Sequence, residues 1–512
     1  MMKLRFVFPL ILLPIIGSTQ NLSRTGVTQA KVRNTGSILQ HGVVKGYYYF
    51  YNLEKKDKKN NNYLLSVIDE NLREVNKVTI TRPTNYQLIE SSYNGQAFLF
   101  LFFDAKKKET ELISYDNSLN QIGQFLKPIA SAYTYNVYQS IALGNSASQR
   151  YLIPIQDNGF IQYGPGTIEH YDNSLKLIWD SSAEDKKNAV TPSEAFQSDK
   201  MVGSIITHAT SRNSALTYVI LVNDLQTGAL KFQCDLTAQQ YNVSPSDIHF
   251  DSTKQQIVIF GEYFNKNDKQ TNSQSLGFCY LNYDVDGKQV SSKLLSWADI
   301  SQKAPVNEKG KFDGINTNIL FHDFVRTSDG QIFAIGEQYK KAVSGAGVGL
   351  QVLSVLAAAG TGYYRGSAAA VQLNVYNMVV FQFNADYSLE KVHLFEKNKS
   401  QMLLPAGATY YSSKELAYYG KMRGGFDFRF SQEFPGNETF AIVYVDAERA
   451  SSKAILGAII YTPEKVFAVD KTKFDRRSEE FSIMRAKPGY ILIAEYFRKE
   501  KRFDMRLEKM NY

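Results

Sequence analysis

One short pattern recurs along this chain and limits what it can fold into: an apolar strand, an Asp or Asn turn, a leucine, and a second strand. It reads "ISYDNSLNQIG" at 113–123, "EHYDNSLKLIW" at 169–179, "YLNYDVDGKQV" at 280–290 and "FQFNADYSLEKVHLF" at 381–395. "VIDENLREVNKV" (67–78) and "LVNDLQTGALKF" (221–232) are looser copies. Asp and Asn suit such turns because their side chains bond the adjoining backbone and tolerate left-handed dihedrals. Each copy therefore predicts a β-hairpin. A second pattern precedes it at 91–104, 249–264, 325–339 and 484–497: a strand, a Gly or polar turn, then a dense apolar strand ending near an acid and an aromatic residue. Such continuously apolar runs are expected of strands buried on both faces.

Joined, the two patterns give four strands per unit, with a period of roughly 45–60 residues apart from one stretched copy. Four-stranded units repeated radially make a β-propeller. Units fall near 36–80, 85–126, 136–180, 200–236, 245–296, 318–396, 425–471 and 478–510. The last lacks a strand, which residues near 26–34 could supply as a clasp beside 501–508. The expected fold is all-β, a propeller of seven or eight blades forming one domain over 26–512. A pair of β-sandwiches has the same strand spacing and is the alternative.

The chain opens with Lys3 and Arg5, an apolar run from Phe6 to Ile16, and the small residues Gly17, Ser18 and Thr19. This reads as a secretory signal peptide over 1–19, too short for a membrane span. No later segment has the apolar length of a spanning helix, so the mature chain is expected to be exported, to the periplasm, the outer-membrane surface or beyond the cell. Cys234 and Cys279 are the only cysteines and sit in strand-like contexts, "LKFQCDL" and "LGFCYLNY". Two cysteines are no disulfide framework, and the spacing leaves both buried thiols and a bridge open.

Lys and Arg number 58 against 50 Asp and Glu, a net charge of +8. For an exported chain, nucleic acid is not the expected partner; an anionic glycan, lipopolysaccharide or an envelope protein is. Within a blade the chain alternates direction, so all second-to-third strand loops emerge on one face. The basic stretches "EKKDKK" (54–59), "KKKE" (106–109), "NKNDK" (265–269), "KK" (340–341) and "RKEKR" (498–502) fall there. Candidate ligand-binding residues are Lys55, Lys56, Lys106, Lys107, Lys108, Lys266, Lys340, Lys341, Arg498 and Lys499. Read more plainly, they are solvated turns that discourage edge pairing.

Glu262, Glu337 and Glu495 end equivalent strands beside Tyr263, Tyr339 and Tyr496. They form a possible acidic rim, able in principle to supply paired carboxylates for glycoside cleavage or oxygens for calcium. A repeated residue in a repeated blade more simply serves the blade. The six histidines lack metal-ligand spacing, and no nucleophile motif or cofactor loop is present. No catalytic residue, metal or cofactor is therefore assigned.

The segment 341–374 departs from the rest in being small, apolar and almost uncharged. Its "GAGVG" (345–349) lacks the dinucleotide spacing and any βαβ context. Val348, Val352, Val355 and Leu356 share one helical face, which predicts a short helix near 345–360 packed on the propeller. A partner- or membrane-docking loop is the other reading.

The signal peptide, the strand ends "FGEYF" (260–264) and "IGEQYKK" (335–341), and the small-residue insertion resemble an uncharacterised family of exported Bacteroidetes proteins, a domain of unknown function. The similarity covers nearly the whole mature chain and carries no catalytic residue with it. The expected function is that of an exported, non-enzymatic binding or scaffold protein of the cell envelope, with its ligand on the basic loop face. A periplasmic or surface glycan-active hydrolase is the alternative.

Overall fold

The computed structural model describes residues 21–510, apart from 29, 31–34, 41–42, 130–134, 136–137, 139–150, 157, 165–166, 183–190, 209–215, 237–239, 344–370, 405–407, 435–437, 448–452, 463, 476–477 and 479. Eight antiparallel sheets of four strands follow one another, built from residues 35–83, 86–128, 152–182, 191–235, 242–296, 318–395, 428–475 and 480–509. We number these blades 1 to 8. First strands of consecutive blades lie side by side, with the first strand of blade 4 against the second of blade 3, and the first strand of blade 8 reaches that of blade 1. The ring is an eight-bladed β-propeller.

The continuously apolar second strands have a geometric cause. In blade 2, Phe98, Phe100 and Phe102 pack into the cluster shared with blade 1. The alternate residues Ala97, Leu99, Leu101 and Phe103 pack into the cluster shared with blade 3. Side chains alternate across a strand, so a strand clamped between two neighbours must be apolar at every position. Eight such inter-blade cores close the ring. At about 1.5–3 kcal/mol per fully buried large apolar side chain, they supply most of the driving force for folding.

The recurring Asp turns join third to fourth strands. Asp172 Oδ1 accepts the amides of Ser174 and Lys176, both at 2.9 Å, and Asp284 does the same in blade 5, whereas in blade 6 Asn384 takes that position and Asp386 Oδ1 accepts the Ser388 amide. The leucine of the motif then sits in the left-handed region, at φ 63° in Leu72, 65° in Leu119 and 66° in Leu175, with its side chain buried. Blades 4 and 5 place Gly228 and Gly287 there instead.

Closure differs from expectation in one detail. The strand that completes blade 8 is Asn21–Arg24, paired antiparallel with Arg502–Lys509, rather than residues near 26–34. Residues just beyond it cross to blade 1: Val27 N donates to Lys501 O and Thr28 N to Asn52 O, both at 2.9 Å. With its side chain buried, Val27 plugs the seam between blades 8 and 1.

Blade 6 also departs from the pattern. Its second strand runs over Ile332–Val343 and its third over Val371–Phe383, both longer than the repeat predicts. The extension of the third strand pairs with a fifth strand, Ser400–Leu403. The helix expected near 345–360 lies outside the described residues. Helices Trp297–Ser301 and Ser413–Met422, each with a capping box, lie in the connectors that follow blades 5 and 6. Cys234 and Cys279 are free thiols packed in the core between blades 4 and 5.

Candidate functional site

Second-to-third loops and the connectors between blades emerge on the same side, because an even number of strands returns the chain to the face it left. On that face the basic residues occupy two arcs. Blades 8, 1 and 2 adjoin, and their loops carry exposed Arg498 and Lys499, Lys55 and Lys56, and Lys106, Lys107 and Lys108. The loops are built turns: Asp104 Oδ1 accepts the amides of Lys106 and Lys107, and Asp57 Oδ1 those of Lys59 and Asn60. Lys107 pairs with Glu109 at 3.2 Å and lies over the Tyr86 ring, while Lys108 lies over Tyr135.

The second arc, in blades 5 and 6, holds Lys266, Lys340 and Lys341. Lys266 is exposed. Lys340 and Lys341 belong to the strand itself and tie it to the connectors. Lys340 Nζ donates to Ile315 O, and Lys341 Nζ to Thr409 O and Tyr411 O, at 2.8 to 2.9 Å.

Glu262, Glu337 and Glu495 occupy matching second strands, and each meets different partners. Glu262 pairs with Lys414 and Glu495 with Arg506; Glu495 also accepts from Ser478 Oγ at 3.2 Å. Glu337 is wholly buried between blades 6 and 7. His322 Nε2 lies at 3.2 Å, Lys397 Nζ at 3.4 Å, and the Phe428 amide donates to it at 2.9 Å. Burial pushes the Glu337 carboxyl up, but these three groups outweigh it and hold it below the ordinary carboxylate range. Lys397 also bonds Asp427, whose carboxyl burial and the Glu337 charge push up. Burial keeps His322 neutral by pushing its imidazole below the ordinary value. The acidic rim is thus three separate structural ion pairs, with no carboxylate pair formed among them.

A pocket of about 140 Å³ opens on the loop face between blades 5 and 6. Its floor is Trp297, whose indole N–H donates to Ser275 Oγ at 3.1 Å and whose ring crosses Phe278 edge-on at 4.7 Å. Gly310, at φ 64°, lies so close to that ring that a Cβ would meet it at 2.3 Å. Asn307 holds the turn by accepting the amides of Lys309 and Lys311, and the turn is anchored by buried Val306 and Phe312. It presents Lys311 to the pocket beside Asn318, whose side-chain oxygen accepts from the ammonium.

The opposite wall is the start of helix Ser413–Met422. Ser412 Oγ donates to Thr271 O at 2.6 Å, fastening the helix to the loop of blade 5. Lys414 reaches from it to Glu262 and over the Phe264 ring. Burial lowers the Lys311 ammonium below the ordinary lysine value; Glu262 opposes that shift and Lys340 adds to it. Burial, with the charge of Glu262 behind it, raises the Tyr339 phenol far above the ordinary value. Among the described residues, no group of three or more His, Cys, Asp or Glu is placed to hold a metal ion.

Of the predicted residues only Glu262 lines this pocket, with Lys340 close by. Lys311, Lys414 and Tyr418 were not singled out, because they come from a connector and a helix outside the repeat, and Asn318 stands at the very edge of its unit. The signal available was length: the stretch between the last strand of blade 5 and the first of blade 6 far exceeds a simple turn.

The sequence profile described as "Family of unknown function (DUF6770)" matches residues 1–511. No curated protein matches the chain. Among solved structures, the Pan2 WD40 domain of Neurospora crassa superposes with a TM-score of 0.35 at 10% identity, over 82% of this chain and 89% of that one. Prolyl oligopeptidase B of Galerina marginata gives 0.41 at 7% identity, over 93% of this chain and 56% of that one. The β-propeller domain of the trilobed protease of Pyrococcus furiosus gives 0.30 at 11%, over 76% and 99%. At such identities nothing of their activities transfers.

Proposed function

The chain belongs to the DUF6770 family, whose function is unknown, and from that premise we propose that it is an exported binding protein of the cell envelope. Its ligand is an anionic saccharide polymer, lipopolysaccharide included, docked on the face of the second-to-third loops. The observation that carries this reading is the run of exposed lysines and arginine across the adjoining loops of blades 8, 1 and 2. Each exposed charge contributes about 1 kcal/mol or less near an anionic surface, screened by salt, so affinity arises from their number. Glycoside cleavage needs two carboxyl groups about 5–9.5 Å apart with a sugar between them. Glu262, Glu337 and Glu495 each hold a separate cation instead, which supports binding over hydrolysis.

The test is binding to a polyuronate and to lipopolysaccharide at rising salt. A variant with Lys106, Lys107, Lys108, Arg498 and Lys499 replaced by serine is measured alongside. Affinity is expected to fall steeply with salt and in the variant, with melting unchanged. Equal binding by the variant would return these residues to solvated turns, and new reducing ends would favour the hydrolase.

A further inference from the structure

We propose that the pocket between blades 5 and 6 receives a single anionic sugar residue, gripped at its acid group by Lys311 and at its hydroxyls by the polar side chains around it. This rests on the saccharide-binding reading and adds a site of its own, apart from the lysine arc of blades 8, 1 and 2. Charge is the first ground. The lining holds Lys311 and Lys414 against one carboxylate, Glu262, and Lys340 stands just behind. Glu262 neutralises Lys414, whereas Lys311 and Lys340 donate to the neutral oxygens of Asn318 and Ile315. A half-buried ammonium with only neutral acceptors favours an incoming anion, because desolvated charges require pairing.

The remaining lining is the second ground. Thr271, Asn272, Ser273, Ser413 and Tyr418 supply hydroxyl and amide groups that can both donate and accept, as sugar hydroxyls do. Size is the third. At about 10–15 Å³ of pocket space per water, 140 Å³ takes on the order of ten water-sized groups, a sugar residue rather than an extended chain. The lining comes from blades 5 and 6 and from the connectors that follow them.

The experiment is calorimetric titration of the full chain with glucuronate, glucose 6-phosphate, inorganic phosphate and glucose. Glucuronate or glucose 6-phosphate is expected to bind at least tenfold more tightly than glucose and than inorganic phosphate; which of the two prevails identifies the acid group. Lys311→Gln is expected to weaken that binding at least tenfold while the serine variant of the blade 8 and blade 2 loops retains it. Should Lys311→Gln fold poorly, protection of Lys311 from reductive methylation by the sugar acid gives the same answer on the unaltered protein. Inorganic phosphate binding as tightly as the sugar acids would overturn the sugar assignment, and glucose binding as tightly would overturn the role of charge. If no probe binds while polymer binding persists, the pocket is not a ligand site and the lysine face still stands. If the sugar acids bind and the polymers do not, it is the docking face that fails.

Discussion

Lys397 Nζ lies 3.4 Å from Glu337 Oε1, and neither side chain is exposed to solvent. Both belong to blade 6, and the contact reaches blade 7 through Asp427, which also bonds the ammonium, and the Phe428 amide. Removing one partner of a buried pair leaves the other charged and desolvated. Lys397→Met is therefore expected to cost about 3–5 kcal/mol, read from chemical denaturation. Glu337→Gln added to it should recover part of that loss, and a double variant as unstable as the single would show that the pair itself is not the cause.

The same cluster sets a pH dependence. Burial holds His322 below its unfolded value of 6.5, so below that pH the unfolded chain binds a proton that the folded chain refuses. Stability then falls with acidification, by up to about 1.4 kcal/mol per pH unit for one group. Glu337, held low in the fold, adds a loss only as pH drops below 4.5 and through its folded value. Asp427, held high, acts in the opposite sense, with stability lost as pH rises above 3.8 and through its raised value. Between pH 6.5 and 5, denaturation midpoints of the parent should decline more steeply than those of His322→Gln. Equal slopes would remove His322 as a contributor.

Val27 tests the clasp. It is fully buried in the seam between blades 8 and 1, and Tyr496 Oη donates to the Val27 and Thr28 carbonyls at 3.1 and 2.7 Å. Val27→Asp places an unpaired carboxylate there, at a cost of about 3 kcal/mol or more. Deleting residues 501–512 should lower the melting temperature of the whole ring, since blade 8 then loses its third strand, the one on which Asn21–Arg24 pairs. A truncated chain that melts like the parent would show that no clasp operates.

The leucine turns offer a finer test. Leu119 pays for a buried side chain with a left-handed backbone at φ 65°. Glycine relieves about 1 kcal/mol of that strain but forfeits about 2 kcal/mol of burial. Leu119→Gly should thus lose about 1 kcal/mol or slightly more in urea denaturation. A gain in stability would mean that strain outweighs packing at this position.

The architecture was legible because the repeat is written in local chemistry. Asp116, Asp172 and Asp284 start the same turn by accepting the amide four residues on, and every copy announces one hairpin. Blade order follows from counting them. The inner strands were less legible. Their shared irregularity is one extra residue, Ile89, Ser246, His322 or Arg429, that bulges the strand before it continues. A bulge changes which way side chains point without changing composition, so periodicity does not register it. The pocket was hidden for another reason. Lys311 and Lys414 are 103 residues apart and meet only because separate connectors converge over blades 5 and 6.

Asn21–Arg24 pairs with the last strand of the chain, and Ser23 bonds Asp504 across 481 residues. Synthesis proceeds from the N-terminus, so Asn21–Arg24 cannot find its partner until Arg502–Lys509 has been made. Local hairpins and the cores between early blades can assemble as they emerge. The seam between blades 8 and 1 cannot, and closure of so long a loop is an intrinsically slow step. Until then the chain is an open arc with two raw blade surfaces, the stage at which it is most exposed to proteases and to wrong partners.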